Sequence, residues 1–117
     1  MFWQQVAEQI ERVLPLIDKF VYGYDEESLE SAIGKLLKKT GKTLALAESC
    51  SGGYISHLVT SIPGSSNYFN GSVVPYHNQF KQNILGVKPE TLNSHGAVSE
   101  ETVKEMAAGV RKLFGAD

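Results

Sequence analysis

Residues 43–47, Thr-Leu-Ala-Leu-Ala, carry no charge and, after Thr43, no polar side chain. A run so short and so uniformly apolar suits a strand covered on both faces, as in a parallel sheet. Directly after it stand Glu48-Ser49-Cys50-Ser51-Gly52-Gly53, then Tyr54, Ile55, Leu58 and Val59 at helical spacing. The chain is thus expected to pass from a buried strand into a helix across a polar, glycine-containing hexapeptide. That succession belongs to α/β domains. The expected fold is α/β, a three-layer α/β/α sandwich.

The flanking segments extend this reading. Trp3, Val6, Ile10, Val13 and Ile17 recur at spacings of three and four, one face of a helix. Pro15 is expected to kink that helix or end it early. Residues 20–24, FVYGY, read as a connector or short strand. Asp25 can cap a second helix with Glu26 and Glu27 in its first turn and Leu29, Ile33, Leu36 and Leu37 on its buried face. Gly41 is its expected stop. Residues 62–66 form a loop, and residues 68–74 look extended. Asn78 can cap a short helix closed by Gly86, and Pro89 suits the first turn of another. Ser99 can cap a last helix that buries Val103, Met106, Ala107, Val110 and Leu113. Two strands are few for a sheet that must cover several helices. The domain is therefore expected to be incomplete, truncated at its C-terminal side.

Composition excludes several classes. Eleven Lys+Arg stand against thirteen Asp+Glu, a net charge of −2, and no basic stripe of the kind nucleic-acid binders carry is visible. Lys35, Lys38, Lys39 and Lys42 cluster where a helix ends, which suits the helix dipole. No apolar run approaches the ~20 residues that span a bilayer, and the amino terminus lacks a signal-peptide pattern. A single cysteine allows no intrachain disulfide, consistent with a reducing cytoplasm. His57, His77 and His95 are scattered without metal-ligand spacing. The expectations are a cytoplasmic chain with no metal, no cofactor, no nucleic-acid partner and no membrane.

The hexapeptide is the best place for chemistry. A helix start offers N–H groups without partners, and the dipole adds positive potential. Glycines let a ligand approach the backbone. A hydroxyl or thiol there sits beside a potential oxyanion hole. The plainer reading is a Ser/Gly turn with Ser51 as a helix cap. No lysine follows the glycines, so this is no phosphate-binding loop, and Glu48 before Ser49 rules out G-x-S-x-G. Ser49 and Cys50 are both candidate nucleophiles, and spacing alone leaves them open. Downstream, Tyr76 and Lys81 lie five residues apart. A lysine beside a serine can serve as its base, against the plain alternative of a solvated helix lysine.

Five ordered motifs resemble a known family, the CinA C-terminal domain. They are Leu46-Ala47-Glu48-Ser49-Cys50-Ser51-Gly52-Gly53, Pro63-Gly64-Ser65-Ser66, Tyr76-x-Asn78-x-x-Lys81, Leu85-Gly86-Val87, and His95-Gly96-Ala97-Val98-Ser99-Glu100-Glu101. Residues 22–29 resemble the linker preceding this domain in longer members. The resemblance divides the chain into residues 1–24, an N-terminal helix and linker from a preceding domain, and residues 25–117, the N-terminal part of a CinA-type amidohydrolase domain. It implies hydrolysis of the carboxamide of nicotinamide mononucleotide to nicotinate mononucleotide and ammonia, without a cofactor. Ser49 would be the nucleophile, rather than Cys50, with Tyr76 and Lys81 assisting. Cys50, Ser51, Gly52, Gly53 and Asn78 would form the oxyanion and substrate-binding surroundings. Family members continue with a further strand, a T-G-I-A-G-P-type loop and a nucleotide-binding arginine beyond the position of Asp117. A homo-oligomer is expected. The competing readings are a non-catalytic interaction or regulatory domain, and a thiol enzyme using Cys50.

Overall fold

The computed structural model describes residues 1–117. Helix α1 spans Phe2–Ile17, α2 Leu29–Thr40, strand β1 Leu44–Ala47, α3 Tyr54–Thr60, strand β2 Phe69–Val73, α4 Asn78–Leu85, α5 Pro89–His95 and α6 Glu100–Phe114. The two strands are parallel, pairing Leu44 with Phe69 and Ala45, Leu46 and Ala47 with Gly71, Ser72 and Val73. Asn70 is skipped, a local irregularity between Leu44 and Ala45. The β1–α3–β2 path is the crossover that parallel strands require. Each strand has one strand neighbour, so the outer edges of β1 and β2 carry none.

Leu85, Val87, Leu92, Met106 and Val110 form the core, from α4, α5, α6 and the loop after α4, with Ala45, Ala47, Val73, Ala97 and Phe114 packed against it. Side chains alternate along a strand, so Ala45 and Ala47 lie over α6 while Leu44 and Leu46 turn to the opposite face. There α3 packs on β2 and α2 on α3. The result is a layered α/β arrangement built on a small parallel sheet. The alanines of β1 let α6 approach the sheet closely. Gly109 does the same between helices, since a Cβ there would stand 2.0 Å from the Leu85 carbonyl oxygen.

Several local expectations change. Pro15 does not break α1, which continues to Ile17 and a single 3-10 turn at Asp18–Phe20. The carbonyl that Pro15 leaves without a donor, on Glu11, is at an exposed position and can be solvated. Residues 21–23 form no strand. Asp25 is not a cap: it adopts φ 54° in a turn, and Ser28 caps α2 by accepting from the Ser31 amide at 3.3 Å. Only Gly34 of α2 is fully buried, while Leu29, Ile33 and Leu36 stay exposed. Asn78 is the first helical residue of α4, not its cap. The cap is His77, whose extended backbone lets Nδ1 accept from the Gln79 amide.

Ser99 does cap α6, and its hydroxyl together with that of Thr102 donates to the Gly96 carbonyl. The buried face of α6 is Thr102, Met106 and Val110, whereas Val103, Ala107 and Leu113 are exposed. The close approach at Gly109 turns the helix toward that side.

Helix α1 buries none of its residues. It extends the molecule to 62 × 33 × 22 Å, with a radius of gyration of 18.5 Å against about 13 Å for a compact chain of this length. No helix is long and apolar enough to cross a membrane.

Candidate functional site

The site grows from the junction of β1 and α3. Glu48 prolongs the strand ladder, its amide donating to the Val73 carbonyl at 2.9 Å. The next five residues reverse direction. The Gly52 amide donates to the Ser49 carbonyl at 3.0 Å and the Tyr54 amide to the Ser51 carbonyl at 3.0 Å. Gly52 and Gly53 hold φ of 61° and 97°, a left-handed pair that glycine tolerates best. Gly53, not Ser51, occupies the cap position of α3.

Across from this turn, Lys81 in the first half of α4 is 2% exposed. Its Nζ donates to Ser49 Oγ at 3.2 Å, to the Pro75 carbonyl at 2.9 Å and to the Tyr76 carbonyl at 2.7 Å. The three N–H donors of an ammonium are therefore matched by three acceptors. The two carbonyls converge because the Tyr76 amide closes back on the Val74 carbonyl at 2.9 Å, a tight turn about the buried Pro75. The same turn swings the Tyr76 phenol outward, leaving that residue 70% exposed. Tyr76 thus meets Lys81 through its backbone. Cys50 and Asn78 are exposed, and Ser51 and Gly53 are half-buried.

Glu48 is the residue that sequence reasoning passed over. It is 3% exposed, and its carboxylate reaches forward onto the start of α3. Oε1 accepts from the Ile55 amide at 2.9 Å; Oε2 accepts from the Ser56 amide at 2.9 Å and from the Ser56 hydroxyl. Burial disfavours its charge, but the bonds from the Ser56 hydroxyl and amide and from the Ile55 amide outweigh it. The carboxyl is held below its ordinary value. The available signal was an acidic residue directly before a predicted helix start, which favours interaction with helix amides.

Glu48 also limits where an oxyanion could bind. The first-turn amides of α3 are taken, Ile55 and Ser56 by Glu48 and His57 by the Gly53 carbonyl at 3.0 Å. The Gly52 amide is engaged within the turn. The amides of Cys50, Ser51 and Gly53 make no backbone hydrogen bond.

An apolar concavity lies elsewhere, along α1, where Phe2, Val6, Ile10, Val13, Ile17 and Tyr24 line it. It is the uncovered apolar stripe of that helix, with Gln5 and Gln9 also lining it. His95 stands apart, paired with Glu101 at 3.6 Å on the surface.

Comparison with known proteins identifies the family. The CinA C-terminal domain family matches residues 26–117. A CinA-like protein of Cytophaga hutchinsonii is 56% identical over 112 residues, covering 96% of this chain and 27% of that protein. A CinA-like protein of Amoebophilus asiaticus is 52% identical over 106 residues, covering 91% of this chain and 26% of that protein. The chain thus spans about a quarter of the length of these curated relatives. The crystal structure of a competence/damage-inducible protein from Agrobacterium tumefaciens superposes with a TM-score of 0.74 at 38% identity, over 82% of this chain and 58% of that one. A competence damage-inducible protein A from Klebsiella pneumoniae gives a TM-score of 0.74 at 36% identity, over 76% of this chain and 55% of that one. With its family match over most of its length and its fold shared with those structures, the chain belongs to the CinA C-terminal domain family.

Proposed function

We propose that the protein carrying this chain is an amidohydrolase that cleaves the carboxamide of nicotinamide mononucleotide. The observation that supports it most is the 3.2 Å contact between Lys81 Nζ and Ser49 Oγ, with the lysine buried. A base must lie within hydrogen-bond reach of the proton it takes. In this reading Ser49 Oγ attacks the carboxamide carbon, and Lys81 takes the Oγ proton and hands it to the departing nitrogen. Ammonia leaves, water opens the resulting ester, and nicotinate mononucleotide is released with Ser49 restored. The amides of Cys50, Ser51 and Gly53, which make no backbone hydrogen bond, are the donors this reading assigns to the oxyanion. The substrate itself is taken from the resemblance of the motifs.

One observation favours the non-catalytic reading. Lys81 has three acceptors for three donors, the arrangement of a structural ammonium pinning the Pro75–Tyr76 turn. Ammonia release from nicotinamide mononucleotide by the natural protein decides between them. Ser49→Ala is expected to lower turnover by about three orders of magnitude or more, and Cys50→Ala by less than about fivefold. Near-normal turnover in Ser49→Ala with loss in Cys50→Ala would shift the assignment to the thiol. No ammonia from the unaltered protein would favour the interaction domain.

A further inference from the structure

We infer that Glu48 is a positioning residue for Ser49, acting as a strap that closes the strand-to-helix turn and holds the serine against Lys81. The inference rests on the reading of Ser49 as a nucleophile and adds to it a residue that touches neither substrate nor reacting atom.

Ser49 sits in a five-residue link, 49–53, between β1 and α3. Two of those five residues are glycines in left-handed conformations, so the link has little stiffness of its own. Lys81 is held independently, by two carbonyls of the Pro75–Tyr76 turn. The distance between Oγ and Nζ therefore depends on how firmly the link is closed. Glu48 closes it from both ends. Its backbone belongs to the strand ladder through Val73, and its carboxylate grips the first turn of α3 through Ile55 and Ser56. A residue immediately before the serine thereby bonds residues seven and eight positions ahead.

The side-chain chemistry is specific to a carboxylate. Two amides and one hydroxyl point at it, all donors. Glutamine has nearly the same shape but presents one acceptor oxygen and an NH2 group, which would face a donor. Aspartate is one methylene shorter. By engaging the α3 amides, the strap leaves the amides of Ser49, Cys50, Ser51 and Gly53 as the ones in this segment without a backbone hydrogen bond.

The test uses a fluorophosphonate probe, which modifies activated serines whatever the natural substrate, on the natural full-length protein. Labelling is read at Ser49 by mass spectrometry, with Ser49→Ala as the blank. Glu48→Gln is expected to slow labelling, and to lower kcat on nicotinamide mononucleotide, by about ten- to a hundredfold with KM within about threefold. Ser56→Ala, which keeps both amide bonds, is expected to slow labelling by about fivefold. A purely structural role would lower the melting temperature of Glu48→Gln without slowing labelling of the folded fraction. Labelling of folded Glu48→Gln at the unaltered rate would overturn the strap while leaving the Ser49 reading intact. Absence of labelling in the unaltered protein would overturn both. Should Glu48→Gln fail to fold, Ser56→Ala decides: slower labelling supports the strap, and an unchanged rate refutes it.

Discussion

Ser49 and Lys81 are 32 positions apart in the chain and 3.2 Å apart in the fold. Their contact depends on three backbone devices: the glycine turn, the Pro75–Tyr76 turn and the start of α4. Tyr76 shows how a motif residue can serve through its main chain, since its carbonyl binds Lys81 while its phenol faces solvent. Tyr68 is the opposite case. It is 1% exposed, its ring lies under Lys38 Nζ at 5.7 Å, and its buried hydroxyl, against Gly34, has no hydrogen-bond partner. An unsatisfied buried hydroxyl costs stability, so its removal is cheap. Tyr68→Phe is expected to leave stability unchanged or raise it by up to about 1 kcal/mol in urea unfolding. A loss larger than that would mean the hydroxyl has a partner such as a buried water.

At the scale of elements, junctions and crossings dominate. The β1–α3 junction depends on an ionised Glu48, whose carboxyl is depressed below its ordinary value by the Ser56 and Ile55 bonds despite burial. A depressed native value means that the charged form stabilises the fold at neutral pH. That contribution is fully present above the ordinary glutamate value and is lost as pH falls through the depressed one. The stability gap between the unaltered protein and Glu48→Gln should therefore be constant from pH 6 to 8 by about 2 kcal/mol and shrink on acidification. Urea titrations extended from pH 8 into acid measure it, and a gap that widens in acid would contradict the assignment. Glu105, which accepts from the Lys88 amide and the Thr91 hydroxyl, and Asp117, which accepts from Thr43, are depressed in the same direction. They remain in both proteins, so the comparison isolates Glu48. The α4–α6 crossing depends on Gly109, where an added Cβ would collide with the Leu85 backbone. Gly109→Ala is expected to cost about 1–3 kcal/mol, because main chain cannot rotate away as a side chain can. A melting temperature equal to that of the unaltered protein would show that the helices are free to separate there.

At the scale of the whole molecule, α1 projects from the layered α/β body. Since α1 buries no residue, its apolar stripe contributes nothing to the core of this chain. Ile10→Asp combined with Val13→Asp is expected to change the urea-unfolding free energy of the chain by less than about 0.5 kcal/mol, as for other surface substitutions. A larger loss would place α1 within the cooperative unit.

Local chemistry was legible in the residues. The apolar run at β1, the glycine turn, the Gly41 and Gly86 helix stops, the Pro89 start and the Ser99 cap each follow from side-chain types a few positions apart. So did the family, because its motifs are contiguous strings. Four features required the tertiary structure. One was the way Lys81 is held beside Ser49: the resemblance pairs the two residues, but no spacing gives the Pro75 and Tyr76 carbonyls that fix the lysine there. Another was the outward turn of the Tyr76 phenol. A third was the choice of Thr102, Met106 and Val110 over Val103, Ala107 and Leu113, because an apolar stripe is wide enough to admit either side until a neighbour presses on Gly109. The last was the grip of Glu48 on α3. The physical reason is common to all four: periodicity and capping are set within about one helical turn of sequence, whereas distances between elements are set by which surfaces can approach, and only packing decides that.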